Sequence, residues 1–266
     1  MTQDEGLAWQ TRVWDSMTPI YANEVDVRFI PVIDHVMVRA NLKPGHRVVD
    51  VGTGTGAVAL RMAPLVTSGE VVGVDISPQM LGIAKQRAMN AQLSNVTFVE
   101  GRAEDLELES SSFDRVVASL SLMYSLDRAA AAHEAARVLK PGGTLVAAFW
   151  AGPEENDIVK FQMMAGSFAP KPPVSGVGPG AMANGHEFID QLEASGIHAR
   201  LETETPGFCF DTFESAWDVL VGVTTANMDA TQKLEAKKAV REAMWPKDGG
   251  PRYFNNLTQY VVGEKA

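Results

Sequence analysis

The turn Gly52-Thr53-Gly54-Thr55-Gly56 and the acid Asp75 are the residues whose types and spacing point to chemistry. A chain that turns this tightly between a strand and a helix needs positions without a Cβ where backbone meets ligand. The turn also aims backbone N–H groups and the start of the next helix at its occupant, which favours a carboxylate or a phosphate. Asp75 ends the following strand, where a carboxylate can accept the hydroxyls of a ribose. Each charge-assisted bond of that kind contributes roughly 1.5–3 kcal/mol. Gly52, Gly54 and Ala57 equally satisfy the G-x-G-x-x-G/A dinucleotide fingerprint. Taken alone, these residues leave a dinucleotide site and a bare structural turn both open.

Such a turn needs regular elements on either side to hold it. Residues 47–51 (RVVDV) form a short apolar run rich in β-branched residues, which predicts a buried strand. Residues 57–65 predict the helix after the turn. Strands are expected at 70–75, 96–100, 113–119 and 144–150, alternating with helices at 78–93 and 128–139. Ser77 and Pro78 mark the start of the first of these helices as N-cap and first residue. Strands alternating with helices imply a parallel sheet covered on both faces. Before this core, residues 4–41 are helical by periodicity. After it, the Pro- and Gly-rich stretch 169–185 predicts a loop, and helices are expected at 187–195, 213–223 and 232–244. Strands are expected at 198–205 and 257–262.

The whole chain, 1–266, is expected to be one α/β domain. Residues 1–45 would be an N-terminal helical lid, 46–150 the cofactor-binding core, and 151–266 the substrate-side helices and last strands. Acidic residues outnumber basic ones 33 to 23, and there is no Lys/Arg run, so nucleic acid is not an expected partner. The single cysteine, Cys209, excludes an intrachain disulfide and suits a reducing compartment. No signal peptide and no apolar run long enough for a membrane span can be read, so a cytoplasmic protein is expected. No His, Asp, Glu or Cys spacing suggests a metal.

Five stretches occur in register: VVDVGTGTGAVAL (48–60), VVGVDISPQML (71–81), EGRAEDL (100–106), FDRVVAS (113–119) and RVLKPGG (137–143). Together they resemble the class I, Rossmann-like S-adenosylmethionine-dependent methyltransferases, in particular the quinone-biosynthesis branch. The resemblance implies a doubly wound, mostly parallel seven-stranded sheet with an antiparallel last strand at 257–262, plus N-terminal helices and a helical insertion before that strand. It implies S-adenosylmethionine as cofactor. The backbone of Gly52, Thr53, Gly54 and Gly56 would approach its methionine part, with Asp50 near the ammonium group. Asp75 would bind the ribose and Ile76 would pack on adenine. Ala103 and Glu104 would meet the adenine edge, Ser119 would pass the methionine carbons, and Tyr21 would lie near the carboxylate. Arg102 stands where relatives carry Asp, so either Glu104 takes that contact or Arg102 turns to solvent.

The expected reaction is in-line methyl transfer to a small-molecule acceptor. Rival readings are an NAD(P)-dependent oxidoreductase and a non-catalytic protein that binds the cofactor. Tyr21, Met123, Tyr124 and His186 are the substrate-side candidates. None is an obvious base, since a phenol near its ordinary pKa of about 10 is a poor one at neutral pH. Trp9 and Trp14 lie on the apolar stripe of the first helix and read as packing. The acceptor cavity is expected between the N-terminal helices, residues 150–185 and the helices at 213–244. The Phe, Trp and Met content there predicts an apolar or aromatic acceptor.

Overall fold

Short valine-rich strands dominate the centre of the molecule. In β1 (Arg47–Val51), Val48 and Val49 are fully buried, because a parallel strand is covered on both faces. The computed structural model describes residues 3–171 and 173–266. Met1, Thr2 and Pro172, which the sequence places in the N-terminal segment and the Pro/Gly loop, lie outside the described residues. After β1 come β2 (Glu70–Asp75), β3 (Val96–Glu100), β4 (Phe113–Ser119), β5 (Leu139–Trp150), β6 (Ile197–Glu204), β7 (Gly207–Phe210), β8 (Arg252–Asn255) and β9 (Thr258–Lys265).

Seven of these make one sheet in the order β3-β2-β1-β4-β5-β9-β6. β9 runs antiparallel to both neighbours, with Val146 opposite Val262 on one side and Leu201 opposite Val261 on the other. The expected reversed strand is therefore present, inserted between β5 and β6. The order reverses beside β1, and ligands of open α/β sheets bind beyond the strand ends at such a point.

The N-terminal helices are α1 (Gln3–Ile20), α2 (Asp26–Arg28) and α3 (Ile30–Ala40), with a π-helical turn at Tyr21–Val25 after Pro19. The helix after the glycine turn is shorter than expected. α4 covers only Ala59–Met62 and tightens into a 3₁₀ turn at Ala63–Leu65, where Pro64 has no N–H to continue the ladder. Next come α5 (Pro78–Asn90), a 3₁₀ turn at Leu122–Tyr124, and α6 (Arg128–Val138). Ser77 caps α5 as expected, its Oγ accepting the Met80 N–H at 3.1 Å.

α7 (Asp157–Gly166) and α8 (Gly185–Ala194) precede β6; α9 (Phe213–Leu220), α10 (Gly222–Thr225) and α11 (Ala230–Met244) separate β7 from β8. α7 and the two-stranded β7–β8 sheet are additions to the sequence-based reading. They form a second aromatic core. Phe161, Phe213 and Phe254 are fully buried there, with Phe213 and Trp245 ring centroids 5.5 Å apart and Phe210 and Phe254 5.3 Å apart. Much of the aromatic content expected to face an acceptor is consumed in this packing.

Candidate functional site

The glycine turn is held from beneath by backbone. The N–H groups of Gly52 and Thr53 both donate to the Val74 carbonyl, at 2.8 and 2.9 Å, which fastens the end of β1 to β2. Gly52 has φ +71°, and a Cβ on it would lie 2.3 Å from Ser121 Cβ. Gly54 has φ +55°, but a Cβ there would meet nothing within 4 Å. One glycine makes room for protein and the other faces open space.

Two carboxylates brace this turn. Asp50 is buried under it, accepting the Thr53 hydroxyl at 2.7 Å and the Ala59 N–H. Burial pushes its carboxyl up to about 7 against these bonds. Asp75 accepts the Gly54 N–H at 2.8 Å and the Ser77 N–H at 2.9 Å; burial raises its pKa and these donors oppose the rise. Asp75 thus ties the open glycine in place while lining the cavity above it.

That cavity is a partly open cleft with a volume of about 160 Å³. Gly52, Thr53, Gly54, Asp75, Ile76, Ala103, Glu104, Ser119, Tyr21 and Tyr124 all line it. Among the described residues its whole lining falls between Leu7 and Leu126, so the later segments expected as part of its roof contribute nothing. Four other expected residues sit elsewhere. Asp50 lies beneath the turn rather than on the cavity surface, and Gly56 is buried in the turn. Met123 is buried and does not line the cavity, and His186 is exposed at the start of α8. Arg102 pairs with Asp105 at 3.5 Å at the rim. Glu104 Oε1 accepts from the Ser125 hydroxyl and from the Leu126 N–H at 2.7 Å, so one of its oxygens braces the segment after the 3₁₀ turn.

Sequence reasoning missed the other side of the cavity. Asp26 accepts the Thr55 hydroxyl and, at 2.7 Å, Arg87 Nη1, while Arg87 Nη2 donates to the Ala22 carbonyl at 2.7 Å. This network latches the N-terminal helices onto the glycine turn. The π turn lets it form, and such turns cluster at functional sites. Trp14, read as packing, is also a wall: its ring meets Tyr124 at 4.7 Å and Tyr21 at 5.6 Å, edge to face. Leu120 adopts φ +55° at the cavity lip, a conformation rare for a branched residue and a signal that only coordinates supply. Burial pushes the Tyr21 phenol well above its ordinary pKa, and Tyr124, Asp26 and Asp75 push it further. Burial alone raises Tyr124.

The comparisons with known proteins agree with this geometry. Residues 48–143 match the family described as "Methyltransferase domain". The chain is 36% identical over 115 residues to the ubiquinone/menaquinone biosynthesis C-methyltransferase UbiE of Coxiella burnetii, covering 42% of this chain and 46% of that protein. It is 38% identical over 111 residues to the demethylmenaquinone methyltransferase of Oceanobacillus iheyensis, covering 41% and 47%. The matched stretch spans about half the length of these relatives. A putative methyltransferase from Bacillus halodurans superposes with a TM-score of 0.65 at 24% identity, over 88% of this chain and 98% of that one. The domain match supports S-adenosylmethionine as the cofactor. Residues 48–143 match a methyltransferase domain, and the chain has the fold of the class I S-adenosylmethionine-dependent methyltransferases and resembles their quinone-biosynthesis branch.

Proposed function

We propose that the protein transfers a methyl group from S-adenosylmethionine to a small, apolar or aromatic acceptor. The observation that carries this is the pairing of an open-faced Gly54 with Asp75 at the switch point of a sheet whose β9 is reversed. A dinucleotide fold of order 3-2-1-4-5-6 lacks that strand. The residues present fit the cofactor. The open space above Gly54 would take the methionine part, Asp75 on the lining would take the ribose, and Ile76 and Ala103 would offer an apolar adenine wall.

When bound, the cofactor supplies an electrophilic methyl carbon on a sulfonium. The chain has to bind it, align the acceptor and keep water out, which is where proximity gives most of the acceleration. Asp26, Asp75 and Glu104 line the cavity, a distribution that attracts a cationic ligand. Trp14, Tyr21 and Tyr124 close it with ring edges. Both phenols hold their protons at neutral pH, so an acceptor that is already nucleophilic suits the site best.

Labelled cofactor mixed with enzyme and a fractionated cell extract tests the reading. Label appearing in a small organic product supports it. Cofactor binding with no label transferred to any fraction would make the protein a binder and not an enzyme.

A further inference from the structure

Behind the ring pair Trp14 and Tyr124 lies a second, partly open chamber of about 150 Å³. It shares Gln10, Trp14 and Tyr124 with the main cavity. Its other walls are mostly apolar, chiefly Val13, Ala169, Pro170, Val177 and Val223, with Thr224 and Asn227 as the neutral polar exceptions. Among the described residues no Asp, Glu, Lys, Arg or His lines it. This is where the segments after residue 150 reach the site.

The partition between the two spaces is braced. Gln10 Nε2 donates to the Tyr124 carbonyl at 2.6 Å from α1, and the Gly178 N–H donates to the Met123 carbonyl at 3.0 Å from the Pro/Gly loop. Arg128 Nη1 adds a bond to the Gly176 carbonyl at 2.9 Å. Helix, loop and 3₁₀ turn therefore hold the two rings between them. A charged group in the chamber would find no counter-charge, only the neutral Gln10, Thr224 and Asn227, and burying it there would cost more than its contacts return.

We propose that the acceptor site has two compartments: the reacting head of an acceptor lies in the main cavity and an uncharged apolar arm passes into this chamber, with Trp14 and Tyr124 as specificity-determining residues that set which arms are admitted. The identity of the head rests on the methyl-transfer reading; the seat of the arm does not.

Equilibrium binding of a 4-alkylphenol series, from methyl to octyl, tests this with and without saturating S-adenosylhomocysteine. Affinity is expected to rise about fourfold per methylene until the chamber fills, the factor that corresponds to roughly 0.8 kcal/mol per buried CH₂. Ala169→Phe is expected to end that rise at a shorter arm while S-adenosylhomocysteine affinity stays within twofold. Trp14→Ala is expected to admit branched arms that the wild type rejects. Should Ala169→Phe fail to fold, Val177→Phe narrows the same wall. Affinity that is flat with arm length, or that rises identically in wild type and the narrowed variant, would overturn the chamber. Absence of S-adenosylhomocysteine binding would instead overturn the methyl-transfer reading, and the series measured without it would still decide the chamber.

Discussion

The two sides of the cavity are built from different materials. The side proposed for the cofactor is backbone: the Val74 carbonyl takes two N–H donors from the turn, and Asp50 and Asp75 take hydroxyl and N–H donors around it. The side proposed for the acceptor is side chain: Trp14 and Tyr124 meet edge to face, Tyr21, a candidate for both ligands, meets Trp14 likewise, and Phe29 and Ile33 complete the wall. Backbone donors are common to every sequence, so the first side imposes glycines and acids at fixed places. Aromatic packing tolerates many residue types if volume is kept. The first side is therefore suited to an invariant ligand and the second to a variable one.

Perturbing each side in turn separates these roles. The largest effect is expected from Asp50. Its carboxyl sits near 7 in the folded protein against 3.8 for the free group, so the folded state binds the extra proton between those values. Stability from this group is complete below about pH 4 and lost as pH rises through 7, a fall of roughly 4 kcal/mol. Urea denaturation at pH 5 and pH 8 captures about 3 kcal/mol of it, since part is already lost by pH 5, and Asp50→Asn should flatten the difference. Gly52→Ala drives a Cβ into Ser121 and holds a left-handed φ, for a cost of about 3 kcal/mol in stability. Gly54→Ala has only the backbone cost, about 1 kcal/mol, but fills ligand space, so its S-adenosylhomocysteine affinity should fall by more than its stability. Calorimetry of both variants tests that inversion.

Asp75→Ala should weaken S-adenosylhomocysteine binding by roughly 2–4 kcal/mol. Part of that loss now belongs to the turn, because Asp75 also holds the Gly54 N–H. Asp26→Asn should cost about 1–2 kcal/mol of cofactor affinity by loosening the latch to Arg87, and limited proteolysis should cut the N-terminal helices sooner. At the small end, Tyr124→Phe keeps the ring and should leave S-adenosylhomocysteine affinity within twofold. A larger change would mean that the phenol, and not the ring, serves the cofactor.

The same contrast explains what could be read from the sequence. The first four strands and the Ser77 cap were legible because apolar runs and a capping serine follow from local chemistry. The expected helix 57–65 overruns the observed one because Pro64, the residue before its end, breaks the ladder. α7 was overlooked although Asn156 caps it, its side chain accepting the Val159 N–H at 3.0 Å. β7 and β8 are four residues each and too short to show alternation. In the site, glycines and Asp75 declared themselves. Asp26 did not, because a π turn shifts it off the face that a 3.6-residue period assigns. Trp14 shares an apolar stripe with packing residues, and only coordinates show that the same ring also faces a cavity.

Titration of the purified protein with S-adenosylhomocysteine and, in parallel, with NADH tests the central claim most directly. A methyl-donor site is expected to bind S-adenosylhomocysteine in the micromolar range, to lose most of that affinity in Asp75→Ala, and to leave NADH unbound. Tight NADH binding with no response to S-adenosylhomocysteine would contradict it.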